Sequence, residues 1–215
     1  MYPSPIEEST KARQVLYRLA LYASTLIWMA PLIAIFMTAG RPQGDLLAGN
    51  YWGWPSKFSF VDNFREVFAS SPMFVFFINS VVVTVVTVMG VLVLSTLAAV
   101  ALAKYEFPGR TALFAIFIAG NFLPFQILMI PVRELSVSLG IYDSVWALIL
   151  FHTAFQTGFA TLFLRNFIAG LPEELFEAAR IEGASEFRIL RVIIVPLIRP
   201  ALAGLAVLVF TFVWN

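Results

Sequence analysis

Apolar residues fill five stretches of the chain, at about 16 to 38, 73 to 103, 111 to 131, 144 to 164 and 201 to 215. Four of them reach the roughly 20 residues needed to cross a bilayer core, so each predicts a transmembrane helix. The second is long enough to tilt or to extend beyond the bilayer. From Ala201 to Asn215 a helix rises only about 22 Å at 1.5 Å per residue, short of the roughly 30 Å core. The expectation there is a fifth membrane helix that is incomplete. The first stretch exceeds the roughly 7 to 15 residues of a signal-peptide core and is not closed by a small-x-small cleavage site, so it reads as the first span.

Composition agrees with that pattern. The chain is 60% hydrophobic and 13% charged, with a mean hydropathy of +0.87, whereas an ordinary soluble domain carries about 25% charged residues. A soluble globule of this length has too little interior for so much apolar surface. A formal net charge of +1 offers no field for nucleic acid, so membrane lipid is the expected surrounding and nucleic acid is not an expected partner. The absence of cysteine excludes disulfides, thiolate metal sites and a cysteine nucleophile.

Lys and Arg set the expected orientation. With a cytoplasmic N-terminus, the inside carries Lys11, Arg13, Arg18, Lys104, Arg110, Arg165, Arg180, Arg188, Arg191 and Arg199, and the outside only Arg41, Lys57, Arg65 and Arg133. Tyr142 and Trp146 then fall where an outer aromatic belt would lie. The organisation that follows is a cytoplasmic tail over 1–15 and one membrane domain over 16–215, without low-complexity tract or internal repeat. The external loop 40–72 contains Trp52, Trp54 and an amphipathic helix from Asp62 to Phe68. It has two readings, a folded cap on the bundle or a docking surface for an external partner.

The spans hold no Asp, Glu, Lys or Arg in their cores, which argues against the buried charges that ion-coupled carriers commonly use. An ion-coupled or facilitative carrier remains the alternative reading, because carbonyls and neutral side chains can also hold Na⁺. No phosphate-binding loop is present, so any ATP hydrolysis belongs to another protein. Neither a paired carboxylate nor a metal-ligand set lies at membrane depth, so no catalytic residue, resident metal or cofactor is assigned to this chain. Candidate pathway residues are the neutral polar groups Asn79, Asn121, Gln126, His152 and Gln156, with Ser80, Thr84, Thr87, Thr153 and Thr157 nearby. For each of them, hydrogen bonding between helices is the competing explanation. Asn121 and Gln126 flank Pro124, between Gly120 and Pro131, which predicts a kinked third span with exposed carbonyls.

The loop 166–200 stands apart because it is charged and patterned. It reads as two short helices. Pro172 suits the first position of one, Glu173 and Glu174 favour its positive end, and Gly183 suits a left-handed stop. Ser185 can cap the second helix, with Phe187, Leu190 and Ile194 as an apolar stripe and Arg188 and Arg191 as a charged one. Pro196 and Pro200 bend the chain into the fifth span. The small pair Ala178 and Ala179 would let another surface approach. Physically, this loop is either a lever to a soluble motor or a helix lying on lipid.

The run Glu173-Glu174-Leu175-Phe176-Glu177-Ala178-Ala179-Arg180-Ile181-Glu182-Gly183-Ala184, with Ile194-Val195-Pro196-Leu197 and Pro200 following, resembles the EAA loop of permeases in binding-protein-dependent ABC importers. Glu182 stands where that family usually has Asp. Asn79-Ser80, Lys104 to Arg110, Ile130-Pro131 and Leu139 to Asp143 are similar to the carbohydrate-uptake branch, most of all to the smaller permease of maltose-type systems. The resemblance covers roughly residue 12 to the end. It implies an all-α, polytopic transmembrane bundle in the inner membrane, with five spans seen, the fifth incomplete and a sixth missing. It further implies a second permease subunit, two ATPase subunits holding ATP-Mg, and an extracytoplasmic solute-binding protein that delivers a carbohydrate or related solute. On this reading Glu177, Ala178, Ala179, Glu182 and Gly183 couple the permease to the ATPases.

Overall fold

A chain surrounded by hydrocarbon must satisfy its backbone N–H and C=O groups within its own segments, and helices do so. The computed structural model describes residues 10–214, and every regular element among them is helical. Contacts divide the chain into two compact units, one up to Phe74 and one from Val75.

The first unit contains α1 (Lys11–Ala39), α2 (Gln43–Leu47) and α3 (Phe60–Ser70). Helix α1 buries none of its residues, leaving Leu26, Trp28, Ile33 and Phe36 bare, as a helix facing lipid would. Its end is tightly built. A Cβ on Gly40 would lie 2.6 Å from the ring of Phe60, which packs on Phe36 with ring centroids 4.7 Å apart. The last carbonyls of α1 and its exit, which lack partners within the helix, accept from the Asn63 side chain at Ala39 (2.8 Å) and Arg41 (2.7 Å). Arg41 is 2% exposed. Its guanidinium donates to the carbonyls of Asn50, at 2.7 Å, and Gly53. The loop that follows α1 is thus folded onto its last turn. Its expected amphipathic helix is present as α3, longer at both ends.

The second unit comprises most of α4 (Met73–Lys104), with α5 (Arg110–Asn121), α6 (Met129–Ser138), α7 (Val145–Ala169), α8 (Glu174–Ile181), α9 (Glu186–Ile189), α10 (Val195–Leu197) and α11 (Arg199–Trp214). Helix α4 turns a seam of small and β-branched residues inward, including Thr84, Thr87, Val91, Ser95 and Ala99 at spacings of three and four. Small residues let membrane helices approach closely. At Gly90 a Cβ would lie 3.2 Å from Thr153 Cγ2, which marks the crossing of α4 and α7. Ala160, Leu164 and Ile168 of α7 complete the core with Ala201, Leu205 and Val209 of α11.

Among the described residues three helices, α1, α4 and α7, are individually long and apolar enough to cross a membrane; the number is up to five if each of two bent pairs forms one span. One bent pair corrects the third predicted span. The kink expected within 111–131 is a full break: α5 stops at Asn121, a 3₁₀ turn runs from Phe125 to Leu128, and the chain turns by 97° into α6. Pro124, extended at φ −60° and ψ 127°, supplies no N–H to continue the helix. The other pair, 186–197 and 199–214, bends by 76° at Ile198, between Pro196 and Pro200, as the prolines predict.

Two local expectations are also corrected. Pro172 precedes the N-cap Glu173 rather than opening the helix. Leu190–Ile194 forms a π turn, so the buried face after Ser185 is Ile189, Ile194 and Ile198, while Phe187 is 70% exposed.

Candidate functional site

The two ends of the parallel pair α4 and α7, whose N-terminal halves meet around Asn79 and His152 and whose C-terminal ends meet around Leu102 and Arg165, carry different chemistry. At one end, α8 closes with paired backbone bonds, Gly183 N–H to Arg180 O at 3.0 Å and Ala184 N–H to Ala179 O at 2.9 Å. Gly183 adopts φ +82°, the left-handed geometry that this closure needs. Ser185 caps α9 by accepting from the Arg188 N–H at 3.4 Å. The expected glycine stop and serine cap are therefore both present. Phe176 and Ala179 face inward, whereas Glu177, Ala178, Ile181 and Glu182 face outward. Ala179 accordingly meets its own bundle, not an outside surface.

A polar chain ties these helices to the end of α4. The Lys104 ammonium, on a side chain 7% exposed, donates to the Leu171 carbonyl at 2.9 Å and pairs with Glu173 at 2.9 Å. It also lies 4.5 Å from the centre of the Phe176 ring. Arg180 pairs with Glu173 at 3.8 Å and with Glu186 at 2.9 Å, and the Tyr105 hydroxyl donates to Glu186. The Arg180 hydrogen bond first, and then that of Tyr105, holds the Glu186 carboxyl below the ordinary carboxylate range. Desolvation first, and then the hydrogen bond to Glu186, raises the Tyr105 phenol.

The opposite end, about 38 Å along α4 at 1.5 Å per residue, opens into a cavity of about 700 Å³. Asn79, Ser80 and Thr84 of α4 line it with His152 of α7 and Val132, Arg133 and Ser136 of α6. Phe125 and Phe151 give it aromatic walls. Behind them, Phe155 and Phe212 stack with ring centroids 6.3 Å apart. At the mouth Arg133 lies over the Tyr142 ring at 5.3 Å. Asp143, at φ 57°, leads into Ser144, which caps α7. Among the described residues of this second unit, Thr84 Oγ1, Thr87 Oγ1, His152 Nδ1, Gln156 Nε2 and Thr161 Oγ1 are buried without a hydrogen-bond partner, as is Arg41 Nε in the first.

The predicted pathway residues are divided by this geometry. Asn79 and His152 share the cavity. Gln156 is 6% exposed in the helix seam. Asn121 bonds within its own helix, Nδ2 to Phe117 O at 2.6 Å, and Gln126 is exposed on the turn; neither lines the cavity. Arg133, Ser136 and Tyr142 also line the cavity, although they lie outside the predicted pathway set. A signal was present, because Met129, Val132 or Arg133, and Ser136 recur at helical spacing just beyond the third apolar stretch.

Residues 91–215 match the family described as the binding-protein-dependent transport system inner membrane component. The chain is 35% identical to the osmoprotective compounds uptake permease protein GgtD of Synechocystis sp., over 92% of this chain and 68% of that protein. It is 38% identical to the alpha-glucoside transport system permease protein AglG of Rhizobium meliloti, over 75% of this chain and 43% of that one. In fold it resembles a chain from a bacterial ABC transporter that imports the acidic polysaccharide alginate, with a TM-score of 0.82 and 23% identity over 96% of this chain and 73% of the other. The helices, break and loop thus define a multi-pass membrane permease. The chain belongs to the binding-protein-dependent transport system inner membrane component family, as the EAA-like loop implied.

Proposed function

We propose that this permease pairs with a second permease to carry a carbohydrate inward, driven by two cytoplasmic ATPase subunits that hold ATP-Mg and supplied by an extracytoplasmic solute-binding protein. A carbohydrate is favoured by the alpha-glucoside system to which AglG belongs. Cavity chemistry is compatible with it, since aromatic walls suit the apolar faces of a sugar and Asn79, Ser80 and Thr84 can bond its hydroxyls. The orientation proposed is cytoplasmic for the N-terminus and 166–200 and external for 40–72, on the Lys and Arg distribution. The proposed domain plan keeps the tail over 1–15 and one permease domain over 16–215.

The observation that carries the coupling reading is the polar chain from Glu173, Arg180 and Glu186 to Lys104 and Tyr105. It binds the loop to the helix whose far end walls the cavity, so a push on the loop is delivered to α4. Glu177, Ala178 and Glu182 would meet the ATPase, Gly183 would set the turn, and Ala179 would hold α8 against the bundle. Asn79 and His152 are the foremost proposed contacts of the solute; Asn121, Gln126 and Gln156 belong to the bend and seam beside it.

The test is ATP-driven uptake of an alpha-glucoside by the reconstituted transporter with its binding protein. Glu177→Lys is expected to weaken ATPase association or stimulation while insertion is normal, and Asn79→Leu to lower uptake with ATPase association unchanged. Wild-type behaviour of Glu177→Lys would remove the coupling role. No binding-protein-dependent uptake of any sugar supplied would remove the cargo.

A further inference from the structure

We propose that Arg41–Ser70 forms a collar seated in the lipid headgroup interface, with α3 as an interfacial helix and Trp52 and Trp54 as its anchors. The inference goes beyond transport and rests on α1 being a membrane span.

Depth is the first argument. Helix α1 is apolar and bare along its length, so its last turn, at Ala39, marks the boundary of the hydrocarbon. Helix α3 is bonded to that turn. The Ser59 N–H donates to Gly40 O at 2.7 Å, Asn63 donates to Ala39 O at 2.8 Å, and Phe60 packs on Phe36. The start of α3 therefore lies at the same level as the end of the span.

Surface chemistry is the second. Val61, Phe64 and Phe68 recur at intervals of three and four and are 71%, 58% and 51% exposed. Away from this stripe, Asp62 pairs with Lys57 at 3.7 Å in solvent. A short helix with one apolar and one charged face, held at the end of a span, is suited to lie in the interface.

The tryptophans supply an independent third argument. Trp52 is 90% exposed and Trp54 80% exposed. They are not on a loose loop, because Arg41, the second residue beyond α1, grips the carbonyls of Asn50 and Gly53 on both sides of Trp52. The Asn50 side chain also donates to Trp54 O at 3.1 Å. A buried guanidinium thus holds two indoles beside the end of the span. Indole is favoured at the headgroup level, where its ring meets acyl chains and its N–H meets water. Continuity with the lipid-facing surface of α1 selects lipid over a protein partner.

The chain contains no cysteine, so single nitroxide labels can be placed in the assembled transporter in phosphatidylcholine bilayers. Labels at Phe64→Cys, Phe68→Cys and Trp52→Cys are expected to collide severalfold more often with oxygen than with a water-soluble nickel chelate, and a label at Asp62→Cys the reverse. Equal access of nickel to stripe and Asp62 labels would overturn the proposal. So would shielding of the stripe from both reagents, or shielding that develops only when the solute-binding protein is added, which would make the surface a protein contact. Arg41→Met is expected to mobilise the Trp52 label and to leave the Phe64 label in place. An unaffected Trp52 label would remove the anchoring role of Arg41.

Discussion

Gly183 and Gly40 constrain the chain for opposite reasons. At Gly183, φ is +82° and no atom stands within 4 Å of where a Cβ would be, so its demand is conformational. At Gly40 the demand is steric, with the Phe60 ring 2.6 Å away. Gly183→Val is therefore expected to cost about 1–2 kcal/mol and to misdirect α9, while Gly183→Asn costs less because Asn tolerates the left-handed region. Thermal unfolding together with ATPase stimulation checks this; equal losses for the two variants would contradict it.

Glu186 provides a pH test at the same scale. Its folded-state pKa is depressed by Arg180 and Tyr105, so its stabilisation is present above the unfolded-state value and is lost as pH falls through the folded one. Tyr105 is raised, so its share is present below its ordinary value and disappears as pH rises through the raised one. The network is complete between these limits. Because the Arg180 and Glu186 side chains are 36% and 50% exposed, screening limits the pair to about 0–1 kcal/mol. Glu186→Gln is expected to unfold slightly earlier at neutral pH, and the gap from wild type is expected to close on acidification. A gap that widens in acid would contradict the sign. The glycine stop and serine cap were legible because they are local. The burial of Ala179 was not, since which side of α8 meets the bundle depends on how it packs against α9 and the end of α4.

At the scale of elements, the crossing of α4 and α7 rests on Gly90. A Cβ there would meet Thr153 Cγ2 at 3.2 Å, so overpacking in this seam is expected to exceed the roughly 1 kcal/mol helix-propensity gain of Gly90→Ala and leave a net loss of about 1 kcal/mol. Adding Thr153→Ala removes the opposing methyl and is expected to restore much of the loss, which unfolding of the single and double variants would measure. Purely additive losses would show that the two positions do not meet. The spans α1, α4 and α7 were legible from hydropathy alone. The course of the third was not. Pro124 announces a weak point, but the 97° turn depends on how α5 and α6 each pack. The stripe Phe187, Leu190 and Ile194 held in part: Ile194 is buried and Leu190 packs against the core, but Phe187 is exposed, and the π turn inserts an extra residue into the period, so that Ile189 and Ile198 share the buried face.

For the whole molecule, the proposed orientation places Ser185 inside and Tyr142 outside. In intact cells, an impermeant thiol reagent is expected to modify Tyr142→Cys, where the native side chain is 54% exposed, and to leave Ser185→Cys unmodified until the membrane is opened. The reverse pattern would invert the orientation. In either case the polar loop and the cavity occupy opposite ends of the α4 and α7 pair, which a coupling lever requires.

Sequence by itself determined the membrane class, the three long spans, the helix stop at Gly183 and the helix cap at Ser185, and the family resemblance carried by the loop. These follow from hydrocarbon burial and local backbone chemistry, whose causes lie within a few turns of the residues concerned. Tertiary structure alone decided that Asn79 and His152 meet in one cavity while Asn121 and Gln126 do not. It also decided that Arg41 is buried at the end of α1, and that Lys104 and Tyr105 reach Glu173 and Glu186. Those pairs are far apart along the chain, and their meeting depends on how helices cross, which no local pattern encodes.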